Sequence, residues 1–403
     1  MKSQDLLNDF SIKWNSTIND IPVVDWKLIF GEGAIKSTTF FSSMEKSNFA
    51  GVKYFYLQVH KHGVIAAIVP CFCYEINVLN IVTSSAVQKL IHVVRLLFPR
   101  FLIVKTFGIG TYVASCEHFI GINSCLSDKD QQTLFLILNK QLKTKSKESS
   151  SKFILIKDIR ERSINFTRRI MDADYSFFSS FPTTAIPILP NYHYPNALKS
   201  KYRKRYKDYQ KAFDDDFIWE TCTDFCDYAG LFTELYKNVL CKASNKFELL
   251  NADFFNNINL LFPNSSFLLI AKDKNKKIRL MVLILEDTYS LIPLYLGIKY
   301  EEDDTRILYI NMLGKLVEEG EIRKKSFIDL GQTSYYPKVM SGALVENIYY
   351  GFWSDHWFFN WLIKNVFPKM FVPPKVHENT YLNNCKSLAV GILKSFGFAL
   401  MNG

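Results

Sequence analysis

Four prolines, Pro182, Pro187, Pro190 and Pro195, fall between positions 181 and 195, near the middle of the chain. Proline has no backbone N–H and biases its predecessor toward extended backbone, so this stretch is no helix and reads as a crossover between two halves. A long, weak repetition supports the division. Each half contains helices, then a hairpin, then strand, helix, strand, helix and strand. The boundary falls near Ile186, giving domains at residues 1–185 and 186–403 and an α+β class.

In the first half, helices are expected at 25–31 and 37–47, with Asp25 and Ser37 as N-caps. Strands follow at 52–60 and 64–74 around a His62-Gly63 turn. Then come a helix at 84–97, a strand at 101–107, a helix at 128–143 and an alternating strand at 152–157, with the polar run 143–152 as an exposed loop. The second half opens on a very basic helix at 197–213 and a strand at 217–222. Helices at 224–240 and 251–261 follow, capped by Asp224 and Asn251. Strands at 266–272, 278–286 and 289–298 come next, then a helix at 305–319 ended by Gly320. A strand at 326–331, a short helix at 335–341 and a strand at 344–352 complete the half.

At 403 residues and 48% hydrophobic, the chain can bury two cores, which excludes wholesale disorder. The most apolar region, 79–112, is broken by Lys89, His92, Arg95, Pro99, Arg100 and Lys105, so no transmembrane helix is expected. The N-terminus has no apolar stretch behind its first lysine and does not read as a secretory signal. Eight scattered cysteines in a chain of this length read as reduced thiols of a cytoplasmic protein. Cys71-x-Cys73 and Cys222-x3-Cys226 lack a second ligand pair, and no metal is expected. Lys and Arg number 49 against 39 Asp and Glu, a net charge of +10. That balance suits an acidic partner.

Three stretches carry a resemblance: DWKLIF through AAIVP (25–70), LKSKYRKRYKDYQKAF (198–213), and YINMLGKLVEEGEIRKKSFIDLGQTSYYPKVMSGA (309–343). They resemble the tandem-GNAT proteins, the Fem-type peptidyltransferases and CelD-like N-acyltransferases. The resemblance implies two GNAT-like domains, each a mixed, mostly antiparallel sheet flanked by helices, with the second domain catalytic. It implies a cytoplasmic N-acyltransferase in which an amine attacks an acyl thioester directly. The donor would be acyl-CoA or an acyl carrier protein, with a fatty acyl group suggested by the aromatic-rich interior. The acceptor would be an amine-bearing small molecule or peptide. An aminoacyl-tRNA-dependent transferase is the alternative. A non-catalytic module binding nucleic acid or an acidic protein through helix 199–211 is a third.

By that resemblance the strands at 289–298 and 326–331 should splay, exposing N–H groups to the oxyanion. Tyr295 and Gly331 would then border the donor, Gly331 allowing close approach to backbone. Asp329 reads as a base for the amine or an orienter of Lys338, or else as a cap or buried ion-pair member. Lys338 reads as a point charge for the donor's phosphate, or as an ordinary surface lysine. Gln332, Thr333 and Ser334 sit where a helix N-terminus favours anions, or simply cap it. Tyr335 is grouped with the binding residues and Tyr336 with the catalytic ones, as a proton donor to the leaving thiolate. His193 is a general-base candidate at the crossover. Lys199, Arg203 and Arg205 belong to a helix whose tyrosines interleave its cations, a pattern that tracks phosphates or makes a solvated face.

Four consecutive carboxylates, Glu301 to Asp304, stand where acetyl-CoA-binding GNATs carry a pyrophosphate loop, and would repel one. Phe107-Gly-Ile-Gly is a weak phosphate signal. Cys116 and His118 would share a face on a strand, without an evident third group. Trp353, Trp357 and Trp361 recur at helical spacing in 353–371, which reads as a packed helix or as a peripheral membrane contact.

Overall fold

The computed structural model describes residues 9–77, 79, 85–113, 116–190, 192–243, 248–300, 304–370, 376, 382–383 and 385–400. Its contacts divide the chain into two units. Unit 1 holds Met1–Ser180, Ser244–Leu249 and Tyr349–Pro373, and unit 2 holds Phe181–Ala243, Leu250–Ile348 and Pro374–Gly403.

Unit 1 begins with β1 (Phe10–Asn15), α1 (Val23–Phe30) and α2 (Thr38–Lys46). Ser37 caps α2 through the Phe40 N–H as expected, but α1 starts two residues before Asp25 with Pro22 at its cap position. β2 (Lys53–Lys61) and β3 (Val64–Asn77) form a hairpin. His62 and Gly63 both have positive φ at its turn. Next come α3 (Ser85–Leu97), β4 (Ile103–Ile109), β5 (Gly121–Ile122), α4 (Asp128–Glu148), β6 (Phe153–Arg160), α5 (Glu161–Ile170) and β7 (Ser176–Ser179). The run expected as a loop at 143–152 instead forms the last turns of α4 as far as Glu148. Its Lys and Glu residues favour helix, and Leu142 and Ser146 face the core.

Unit 2 begins with β8 (Thr183–Pro187), α6 (Ser200–Asp216), β9 (Phe217–Cys222), α7 (Ala229–Lys242) and α8 (Ala252–Leu261). β10 (Ser266–Asp273), β11 (Ile278–Glu286) and β12 (Ser290–Ile298) are antiparallel neighbours. Then come α9 (Thr305–Ile322), β13 (Phe327–Gly331), α10 (Tyr335–Met340) and β14 (Leu344–Glu346). β15 (Ile348–Trp353), α11 (Trp357–Asn365) and α12 (Phe367–Met370) then belong to unit 1 from Tyr349 onward, and α13 (Lys386–Ser395), back in unit 2, is the last described helix.

The strand orders are β1-β2-β3-β4-β6-β15-β7, with β5 beside β3, and β14-β8-β13-β12-β11-β10-β9. The first sheet therefore takes in one strand, β15, from beyond the crossover, while the second uses β8 of the crossover itself. β15, late in the sequence, lies between β6 and β7, while β8 lies between β13 and β14. A single cut near Ile186 does not describe this division, because the backbone pairs of β15 are made in the first sheet.

The core of unit 1 gathers Leu57, Val59, Val69 and Ile154 beneath Leu134, Leu138 and Leu142 of α4. In unit 2, Phe213 of α6 and Leu308, Met312 and Leu316 of α9 pack on Leu280, Val282 and Ile284. Each fully buried leucine is worth about 2 kcal/mol of transfer free energy. The opposite face of β12 meets α7 closely enough that a Cβ on Gly297 would lie 2.7 Å from Leu235 Cβ.

Candidate active site

β12 and β13 are parallel neighbours at two positions only, Ser290↔Phe327 and Leu291↔Ile328. Beyond these the strands part toward their C-terminal ends. A register shift between β11 and β12 leaves Leu294 as the extra residue, so β12 bulges where its partner leaves it. The corresponding parallel pair in unit 1 stays closed. β4 and β6 pair from Thr106↔Phe153 to Ile109↔Ile156, the last residue of β4. Of these two pairs, the one in unit 2 opens.

A cavity of about 1110 Å³ lies at the open end. Its walls come from α6, α7, the segment after β12, the start of α9 and α10. Ligands of α/β sheets gather outside the carboxyl ends of parallel strands, where side chains from several elements converge. The lining includes three cations, Arg205, Lys242 and Arg306, and four tyrosines, Tyr209, Tyr300, Tyr309 and Tyr336, with no carboxylate among the described lining residues. Arg205 Nη2 donates to the Tyr209 hydroxyl at 3.5 Å, and Lys242 Nζ sits 3.5 Å from the Tyr300 ring centre. Partial burial works against ionisation of Tyr209, yet hydrogen bonds and charge from Arg205 and Arg306 hold it below the ordinary tyrosine value. Burial pushes Tyr309 up to about 12, despite a hydrogen bond with Ser334.

The expected turn at 329–338 exists, but most of its polar side chains serve the turn itself. Lys338 is buried and donates to the carbonyls of Leu330 (2.8 Å), Gly331 (3.3 Å) and Gln332 (2.8 Å). It is neither a surface lysine nor a cation held out toward a ligand. Gln332 Nε2 donates to Phe181 O, and the Tyr335 hydroxyl donates to Pro182 O. Thr184 donates to Gly331 O. Asp329 accepts from the Gly331 N–H at 3.2 Å. These bonds fix a backbone in which Gly331, Thr333 and Ser334 all have positive φ. α10 is only six residues long and no side chain caps it, so the anion site expected at its start has little helix behind it.

Of the residues named from sequence, the structure brings Arg205 and Tyr336 to the cavity wall. Tyr295 packs edge-on against Tyr236, Phe254 and Phe255 of α7 and α8. Lys199 is exposed just before α6 begins, and Arg203 is half-buried; neither lines the cavity. His193 is exposed, 4.0 Å from Glu321, beside a smaller cavity between the crossover and the end of α9. Sequence reasoning missed Lys242, Tyr300, Arg306 and Tyr309, and passed over Tyr209 as one of three interleaved rings. Lys242 is on α7, Tyr300 follows β12, and Arg306 and Tyr309 share the start of α9 at i, i+3, so α7 and the 300–309 segment are distant in sequence and only the fold gathers them.

The objection raised by the carboxylate run is met at one of its four positions. Asp304 pairs with Arg279 at 2.8 Å, both buried, so its charge is compensated beneath α9. Glu301, Glu302 and Asp303 lie outside the described residues. The Phe107-Gly-Ile-Gly turn is packing, since a Cβ on Gly108 would lie 2.2 Å from the Phe72 ring. Residues 116–120 are irregular rather than a strand. His118 there is half-buried beside Thr167, so the shared face imagined for Cys116 and His118 is not formed.

No family model matches the sequence, and no curated protein matches it in sequence. Solved structures do match in shape. FemX superposes with a TM-score of 0.50 at 12% identity, covering 85% of this chain and 96% of FemX. The fold is that of a tandem GNAT protein. A tandem GNAT protein from the clavulanic acid biosynthesis pathway gives 0.48 at 8% identity over 85% of this chain and 98% of that one. A conserved protein of unknown function from Bacteroides thetaiotaomicron gives 0.48 at 9% over 86% and 100%. At these identities the likeness is one of fold, and the expected pair of GNAT-like domains is what the two sheets form.

Proposed function

We propose that this chain is an N-acyltransferase whose donor is an acyl thioester of coenzyme A or an acyl carrier protein. The observation that carries the reading is the parting of β12 from β13 beside a cavity whose described lining is cationic and aromatic. Unpaired β12 N–H groups are donors for the oxyanion formed when an amine nitrogen attacks the thioester carbonyl. The C–N bond forms, the C–S bond breaks, and the thiolate takes a proton from Tyr209. Asp329 is assigned as acceptor of the amine's proton. Arg205, Arg306 and Lys242 face the donor's phosphates.

Amine-dependent release of free thiol from a panel of acyl-CoA and acyl carrier protein thioesters tests this. Arg306→Ala should raise the donor KM about tenfold with a smaller change in kcat. Tyr209→Phe should lower kcat and remove an alkaline limb. That limb arises because activity needs the protonated hydroxyl, and it should fall below the ordinary tyrosine range. No amine-dependent thiol release from any donor would reject the reading.

A second reading is an aminoacyl-tRNA-dependent transferase. It is favoured by the exposed lysines of α6, Lys201, Lys204, Lys207 and Lys211, on a helix anchored by Tyr202, Tyr206 and Phe213. It requires tRNA binding that weakens steeply with salt, and a flat salt response would sink it.

A further inference from the structure

We propose that one end of unit 1 docks on an anionic lipid bilayer through exposed apolar side chains of α3 and α11. Of the described α3 side chains, Ile91 is buried, whereas Leu90, Val93, Leu96 and Leu97 are 63%, 62%, 82% and 79% exposed. Leu90, Val93 and Leu97 stand at i, i+3 and i+7, so they line one face. Phe98, just beyond the helix, is 65% exposed. On α11, Trp357 is 75% exposed and Trp361 51%, with Phe358 stacked on Trp361 at 6.4 Å and 12°. The packed-helix reading of this stretch therefore holds for Ile363 and for Trp353 of β15, but not for the outward rings.

Backbone and side-chain bonds place both helices at one end of the first sheet. α3 leads into the start of β4, where Ile103 pairs with Asn77. Lys152, just before β6, donates its N–H to Lys105 O, and Ser354, just after β15, donates its hydroxyl to Lys152 O. α3 thus ends, and α11 begins, at this same edge.

Charge identifies the occupant. Residues 76–116 contain Lys89, Arg95, Arg100 and Lys105 and no acidic residue. Residues 356–370 contain Lys364 and Lys369 and no acidic residue. The carboxylates that border these stretches are paired, Glu75 with Arg100 at 2.7 Å and Asp355 with Lys147 at 3.9 Å. Tryptophan and phenylalanine rings among leucines, flanked by lysine and arginine stems, suit the interface of a bilayer with acidic headgroups. α3 spans 13 residues and α11 nine, too short to cross a bilayer, so they would lie in its surface.

The test is co-sedimentation of the full chain with vesicles of phosphatidylcholine alone or with about 30% phosphatidylglycerol. Binding should be about tenfold tighter on the anionic vesicles and weaken severalfold between roughly 50 and 300 mM salt. Leu96→Ser/Leu97→Ser and Trp357→Ser/Trp361→Ser should each cut binding about tenfold with an unchanged melting temperature, since the side chains are exposed. Tryptophan emission should shift to the blue on anionic vesicles, and the shift should shrink in the Trp357→Ser/Trp361→Ser variant. Equal binding to both vesicles, no binding, or full binding by both variants overturns the proposal. So does a lipid-free dimer that both variants dissociate while vesicle binding is absent, which assigns the patch to a second copy.

Discussion

The carbonyls of Leu330, Gly331 and Gln332 surround the Lys338 ammonium, which is held out of water. Truncating the side chain leaves them without that donor in a turn that already carries three positive-φ residues. Lys338→Ala should therefore destabilise the protein by about 2–4 kcal/mol, and any loss of activity should track the loss of fold. Asp329→Asn separates chemistry from structure, because the amide oxygen still accepts the Gly331 N–H. It should lower kcat about a hundredfold or more while the melting temperature stays nearly constant. A large fall in melting temperature would return Asp329 to a structural role. His118 makes a different prediction. Burial pushes its pKa down to about 4 from 6.5, more than the neighbouring Glu117 raises it. Between those values the unfolded chain binds a proton that the folded chain refuses, so stability falls as pH drops from 6.5 to 4. The drop should be roughly 3 kcal/mol, and His118→Gln should flatten it. Glu117 adds a later loss. Burial opposes its ionisation, but Arg160 and Lys36 hold it at about 2, so its contribution disappears only as pH falls from about 4.5 toward 2.

α6 and α9 pass close to one another at Gly314, and Asn311 Nδ2 also donates to Tyr209 O at 2.9 Å. A Cβ on Gly314 would lie 2.0 Å from the Tyr206 hydroxyl, and Tyr206 also packs edge-on against Tyr194 at 5.0 Å. Gly314→Ala should displace α6, costing about 1–3 kcal/mol, and should move Arg205 and Tyr209 at the cavity wall. In a Tyr206→Ala background the same change should cost far less, which a double-mutant cycle on unfolding measures. This contact also explains what could be read from sequence in α6. Its cations were conspicuous, but the helix is held by Tyr202, Tyr206 and Phe213, and three of its lysines with Lys211 simply face water. The β10–β11 hairpin was legible because Asp273-Lys274-Asn275 punctuates two continuous apolar runs; Asp273 accepts from the N–H groups of Asn275 and Lys277. β1 and β7 were not. β1 exposes Ser11, Ile12 and Lys13, and β7 is four residues whose only described partner is β15. The site divided the same way. The 329–338 turn is local and was visible, whereas the cavity is assembled from distant segments whose convergence only the fold reveals.

At the scale of the whole chain, the first sheet takes in β15 from beyond the crossover and β8 straddles residue 186, so a cut there severs strands from their sheets. A fragment of residues 1–185 lacks β15, which separates β6 from β7 in the first sheet. β7 would then lose its pairs from Tyr349↔Ser179 to Phe352↔Ser176. A fragment of residues 186–403 lacks Thr183, Thr184 and Ala185, so β8 would lose half of its pairs with β13 and all of those with β14. Unpaired strand edges and the apolar faces beside them favour aggregation over folding. Neither fragment alone should show a cooperative thermal transition. The pair, however, contains every strand, since β15 travels with the second fragment and most of β8 with the first. Co-expression should recover a soluble complex, with a transition below that of the intact chain because the crossover no longer links the two sequences. A sharp, independent transition from either fragment would show that its sheet closes without the borrowed strand.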